Sequence, residues 1–332
     1  MGKTVRHLQI NSICAKRPPT RRLVATISRI LSNFAQGNRQ RWRRYLPRQS
    51  NKKRKKMTKI DLKNVAPKVV YVPPKILLYG RNGIGKSTFA LKAPSPIFVD
   101  LDENIYELPC TSNKTLKIPI NNYDDVINFL GVLFNQDHDF KTVVIDSLSS
   151  LEKLIMDKAV KTTNGITSFA DFNYGKGHLK TMCFWEDFFQ KIKNLWKYKK
   201  MIVIFLAHHK EKKEENLTGA SYSQYQINLQ DRASELLRNW CSCVLFADDE
   251  VIIGDEKSKT LNSTRIIRTD GGLTFLAKNT YKLPPKISLD WDELAQHVQK
   301  YYQQFNYPTE PTNITKQELQ EELKTEQTEK GK

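Results

Sequence analysis

The stretch Lys75–Ala90, KILLYGRNGIGKSTFA, constrains this chain more than any other. An apolar run, Ile76 to Tyr79, ends at Gly80. Arg81, Asn82, Gly83, Ile84, Gly85, Lys86, Ser87 and Thr88 follow, and a new apolar pattern opens with Phe89, Ala90 and Leu91. This is G-x-x-x-x-G-K-S/T set between a strand and a helix. Such a loop wraps a phosphate with successive backbone N–H groups pointing inward, and Gly80, Gly83 and Gly85 lack the Cβ that would block that path. The helix opening near Lys86 adds unpaired N–H groups and a positive dipole end. Lys86 suits the β- and γ-phosphates, and the Ser87 hydroxyl suits Mg²⁺, which prefers oxygen ligands. The expectation is ATP with Mg²⁺, held by Gly80 to Thr88. A glycine-rich turn matching by chance is the alternative, and the flanking strand and helix argue against it.

Two further apolar runs fit the same plan. Pro96–Asp100 reads as a buried strand and leads into Leu101, Asp102 and Glu103. Lys141–Asp146 is a continuous apolar run closed by an acid, as a central parallel strand reads when buried on both faces. Its carboxyl end belongs beside the phosphate loop, where open α/β sheets bind ligands. Asp146 is therefore a candidate Mg²⁺ carboxylate of the Walker B type; capping of a helix Ser147–Lys161 is the alternative. Met201–Ala207 is another apolar strand, ending in His208 and His209. A helix is expected over Tyr123–Asn135, another over Trp185–Tyr198, another over Gln230–Asn239, and a strand at Cys243–Ala247. Residues 114–120 suggest a short strand. Arg265–Thr269 and Leu273–Ala277, flanking Asp270-Gly271-Gly272, suggest a hairpin. Residues 162–180 and 210–228 read as loops, the first able to order on a ligand.

Charge is unevenly placed. The formal net charge is +19 over 332 residues, yet residues 1–56 hold 17 of the 54 Lys and Arg and no acid, leaving 37 basic against 35 acidic residues beyond them. The excess is a property of the arm. That arm is open to three readings: a nucleic-acid-binding extension, an organellar targeting segment, or an over-extended start with Met57 as the true one. The expected organisation is a basic arm, 1–56; one P-loop domain, 57–306; and a polar, disordered tail, 307–332. No apolar run approaches membrane-spanning length. Five cysteines with no C-x-x-C pair fit a reducing compartment. Cys241 and Cys243 read as buried thiols, facing one side if both lie on a strand.

The order of elements is that of a RecA-like P-loop ATPase, an α/β fold with a mostly parallel central sheet flanked by helices. FNYGKGHLK (172–180), VIFLAHHK (203–210), the segment around Tyr222 and Tyr225, and LAKNTYKLPPKISLDWDEL (276–294) resemble a family of phage-borne P-loop proteins. Some members are RecA-like single-strand annealing or recombination proteins. The resemblance spans roughly 57–295. It implies ATP and Mg²⁺ as cofactors, with Lys86, Ser87 and Asp146 at the phosphates and metal. It implies a water-activating carboxylate at Asp102 or Glu103, in a register where RecA-type enzymes carry glutamate. His208 falls where these proteins sense the γ-phosphate. The segments 162–180 and 210–228 correspond to DNA-facing loops, which makes Tyr174, Lys176, Lys180, Lys210, Lys212 and Lys213 candidate DNA contacts. Arg268 and Lys278 are candidates for a basic residue completing a neighbouring subunit's site, although Thr280 replaces an arginine usual in related sequences. Implied partners are single-stranded DNA, a single-strand-binding protein and further copies of the chain, with no membrane, in the cytoplasm of a bacterial host. The implied function is DNA recombination, with ATP hydrolysis. An ATP-switched loader or replication accessory protein, and a nucleotide-binding module that does not hydrolyse, are the competing readings.

Overall fold

Alternating side chains on the apolar strands sort to two faces, and helices cover both. The computed structural model describes residues 70–103, 120–215, 219, 221–253 and 261–310. The phosphate-loop strand β1 (Lys75–Gly80) leads into a short helix, α1 (Lys86–Leu91), then β2 (Pro96–Asp100), α2 (Tyr123–Asn135), β3 (Thr142–Asp146) and α3 (Leu148–Lys161). These are followed by α4 (Lys176–Tyr198), β4 (Ile202–Glu215), β5 (Ser221–Ile227), α5 (Asp231–Trp240) and β6 (Cys243–Ile253). The chain continues through β7 (Leu261–Arg268), β8 (Lys278–Asn279), β9 (Lys286–Ser288) and α6 (Trp291–Gln304). The described strands form one sheet in the order β2-β3-β4-β1-β6-β7-β9, with β5 on β4 and β8 on β6. β2, β3, β4, β1 and β6 run parallel. β5, β7, β8 and β9 pair antiparallel. The expected α/β plan, a mostly parallel central sheet flanked by helices, is therefore present, with β4 inserted between the phosphate-loop strand and the acid-ended β3.

Leu77, Tyr79, Val143, Ile145, Val203 and Phe205 face one layer, packed against Leu130, Leu151, Trp185, Phe188 and Leu237 of α2 to α5. Ile76, Leu78, Val144, Ile204 and Leu206 face the other, against Phe89 of α1 and Trp291, Leu294 and Val298 of α6. Burial on both faces explains the unbroken apolar runs, each large side chain contributing about 1.5–3 kcal/mol of transfer free energy. The parallel register brings the strands' carboxyl ends together. Gly80 pairs beside His208 and Ala247, and Asp146 beside Leu206 and Asp100.

Several local expectations are corrected. The charged segment after His209 is no loop: β4 runs on to Glu215 and folds back as β5, from His209 opposite Ile227 to Glu215 opposite Ser221. Lys210 to Glu215 are all charged, so no apolar face announced the strand. α4 begins at Lys176, not Trp185, and only 162–175 precedes it as turns. There Asp171 accepts hydrogen bonds from the Thr167 and Ser168 amides, and Phe169 and Phe172 lie where any side chain at Gly177 would collide. The hairpin proposed around Gly271 and Gly272 does not form. β7 pairs with β6 and β9 instead, and 273–276 crosses to the β4–β5 ribbon, where Tyr225 N–H donates to Thr274 O at 2.7 Å. Cys241 and Cys243 are buried, as expected, but Cys241 caps α5, so strand alternation does not apply and the two join opposite core layers. The strand proposed at 114–120 lies, apart from Ile120, outside the described residues, as do the arm and all but 307–310 of the tail.

Candidate nucleotide site

The phosphate loop owes its path to three glycines with two different duties. Gly83 (φ 73°) and Gly85 (φ 109°) sit in the left-handed region, which disfavours side chains. Gly80 is ordinary strand, but a Cβ there would stand 2.5 Å from the Ala247 carbonyl oxygen, so glycine permits the close approach of β6. Ile84 is fully buried and pins the loop to the core layer beneath α1 and α6. Lys86 is buried and donates to the carbonyl oxygens of Arg81 (2.9 Å) and Gly80 (3.3 Å). Burial lowers its pKa, while Asp146 and Asp102 pull the other way. Arg81 is turned away and ion-paired with Asp249 of β6.

At the end of β3, Asp146 accepts a 2.5 Å hydrogen bond from Ser87 Oγ. Burial, aided by the charges of Asp102 and Asp100, pushes its carboxyl up to about 6. Ser147, not Asp146, occupies the N-cap of α3. Asp102 receives a hydrogen bond from Ser150 Oγ, and His208 Nε2 lies 3.4 Å from its other oxygen. Burial acts to raise the Asp102 pKa, but the contacts with His208 and Ser150 outweigh it and hold the carboxyl down at about 2. Glu103 is exposed, so of the two acids only Asp102 faces the site.

A cavity of about 780 Å³ opens here, within the usual range for ligand sites. It is lined by Asn82, Gly83, Gly85, Lys86, Ser87 and Thr88 of the loop and by Asp102, Asp146 and His208, a convergence of residues singled out from sequence. Ser150, Lys153 and Arg265 also line it and had not been singled out. Arg265 is brought there by the β6–β7 pairing, which no local pattern encodes. The donor set fits a hard cation. A hydroxyl and a buried carboxylate in contact provide two oxygens, and Mg²⁺ commonly takes one or two protein ligands and completes its shell with water and substrate phosphates.

The other candidates are spread out. Lys176 and Lys180 lie on the first turns of α4, and Tyr174 in the second of the two 3₁₀ turns before it. Lys210 donates to Leu229 O at 2.5 Å and approaches Asp231 at 3.7 Å. Lys212 is paired with Glu214 (3.2 Å) and Asp231 (3.3 Å), whereas Lys213 is exposed on the opposite face of β4. Arg268 is bound to Asp248 at 2.7 Å and lies over the Phe275 ring. Lys278 donates to the carbonyls of Arg238 and Asn239 and so closes the end of α5. Both proposed trans-acting residues are thus engaged within their own chain, because each has an acceptor close at hand.

The family described as "AAA domain" matches residues 72–281. No curated protein matches the sequence. Solved structures similar to the chain include the RadB recombinase, at 13% identity over 59% of this chain and 88% of that one, with a TM-score of 0.35. Another is the flagellar accessory protein FlaH from Methanocaldococcus jannaschii, at 14% identity over 65% of this chain and 85% of that one, with a TM-score of 0.33. Among the described residues no helix is long and apolar enough to cross a membrane.

Proposed function

The chain belongs to the AAA-domain family, and from that premise we propose that it binds Mg-ATP and uses the nucleotide to control single-stranded DNA in recombination. The observation that carries the nucleotide reading is the convergence of Lys86, Ser87, Asp146, Asp102 and His208 on one cavity at the carboxyl edge of the parallel sheet. In this reading the loop amides and Lys86 hold the phosphate chain. Ser87 and Asp146 hold the metal, which supplies charge neutralisation at the phosphates when bound. Asp102, already fixed by Ser150 and His208, orients water near the terminal phosphate; so acidic a carboxyl is a weak proton acceptor, which suits slow hydrolysis. His208 links the cavity to the ribbon. Its carbonyl accepts from Asn228 N–H at 2.8 Å, at the foot of β5, and β4 continues from it without a break.

The DNA role draws its support from the sequence resemblance at 172–180 and 203–210. A second reading, an ATP-switched loader acting on a protein partner, is favoured by one observation: Lys210 and Lys212 are neutralised by acceptors of their own chain. The test is single-stranded DNA binding by the full chain, with and without Mg-ATP, across a salt series, beside Lys86→Ala. The basic arm contributes a salt-sensitive, nucleotide-independent background. An ATP-dependent increment lost in Lys86→Ala supports the recombination reading. ATP binding with no such increment refutes it and favours the loader.

A further inference from the structure

Lys86 is the one cation that the sequence motifs bring to the phosphates, and the metal held by Ser87 and Asp146 adds positive charge when bound. Two further cations line the cavity, Lys153 of α3 and Arg265 of β7. Arg265 is the more directed of the two. Its Nη1 stands 3.3 Å from where a Cβ of Gly85 would be, so the guanidinium lies against the loop residue that precedes Lys86.

Its pairing state sets it apart from its neighbours. Arg81 is held by Asp249, and Arg268 by Asp248. Arg265 is the cross-strand partner of Asp249 in the β6–β7 ribbon, yet that carboxylate is turned to Arg81. Among the described residues Arg265 has no carboxylate partner. An exposed arginine with no partner is ordinary when it faces solvent. This one lines a cavity built for phosphates, and guanidinium is the side chain best shaped to bind two phosphate oxygens at once.

We propose that Arg265 is a phosphate-binding residue of its own chain's nucleotide site, closing the phosphate chain between the loop and the β6–β7 ribbon. This rests on the nucleotide reading above. It places the second cationic clamp in cis, whereas Arg268 and Lys278, expected to serve a neighbour, are internally engaged. It also ties nucleotide occupancy to β7 and through it to α6, because Leu289 N–H, just before that helix, donates to Arg265 O at 3.1 Å.

The experiment is titration of full-length wild type, Arg265→Ala, Arg265→Lys and Lys86→Ala with fluorescent Mg-ATP, ADP and AMP, followed by anisotropy. Loss of a charge-assisted phosphate contact should weaken ATP and ADP binding about ten- to thirtyfold in Arg265→Ala, with a smaller loss for AMP and partial recovery in Arg265→Lys. The melting temperature without nucleotide should change little, since Arg265 is exposed and has no ion-pair partner among the described residues. Mixing Arg265→Ala with Lys86→Ala subunits should restore nothing. Wild-type affinity in Arg265→Ala, while Lys86→Ala fails, overturns this inference and leaves the nucleotide reading standing. Restoration on mixing overturns the cis assignment. Absence of binding in wild type overturns both.

Discussion

Replacing Asp146 by asparagine should make the nucleotide-free protein more stable, although it removes a group at the centre of the site. Asn keeps the shape and can still accept the Ser87 hydrogen bond, so the perturbation is close to a pure deletion of charge. The carboxyl is only 4% exposed, and its pKa is raised from 3.8 to about 6, chiefly by burial. A difference of that size means that the ionised form burdens the folded state by about 3 kcal/mol. Between pH 3.8 and 6 the folded chain binds more protons at this position than the unfolded chain does. Stability from this group is therefore greatest below 3.8 and falls as pH rises through 6. Urea unfolding in chelator, at pH 7.5 and at pH 4, reads the effect directly. At pH 7.5 Asp146→Asn should be about 2–3 kcal/mol more stable than wild type, and at pH 4 the difference should nearly vanish. Mg-ATP should then stabilise wild type and leave the variant unmoved. A variant that is no more stable at pH 7.5, or a difference independent of pH, would refute the claim that Asp146 is held charged against its surroundings.

Three other outcomes follow from the packing. Gly80→Ala forces a Cβ to 2.5 Å from a backbone oxygen that cannot rotate away, and a loss of about 1–3 kcal/mol is expected, read as a lower denaturant midpoint. Tyr79→Phe removes a buried hydroxyl that accepts from Leu276 N–H at 2.9 Å and donates to Leu276 O at 2.7 Å; the loss should be about 1–3 kcal/mol, with faster exchange at the Leu276 amide, and unchanged exchange would contradict the assignment. Cys183 is exposed, whereas Cys241 and Cys243 are buried, the Cys243 thiol being pushed up to about 11 by burial. Peptide mapping after brief thiol labelling of the folded protein should find Cys183 modified and the other two intact.

What local sequence determined is whatever rests on spacing and periodicity. The phosphate loop, the parallel strands β1 to β4, the acid at Asp146 and the α/β class all follow from unbroken apolar runs that end at glycine, aspartate or histidine, because a strand buried on both faces admits little else. Where the pattern was charge rather than hydrophobicity, it misled. Lys210 to Glu215 reads as solvated loop and is strand, since its partners are the side chains and backbone of β5 and Asp231. Lys176 to Lys180 reads as the end of a loop and is helix, with Phe169 and Phe172 packed on Gly177. Only tertiary structure separates Asp102 from Glu103, one turned to Ser150 and His208 and the other to solvent. Only the β6–β7 pairing brings Arg265, rather than Arg268 or Lys278, to the cavity. Local periodicity reports which face of an element is buried; which side chains meet across elements far apart in the chain depends on strand order and register, and these are settled by packing the whole sheet.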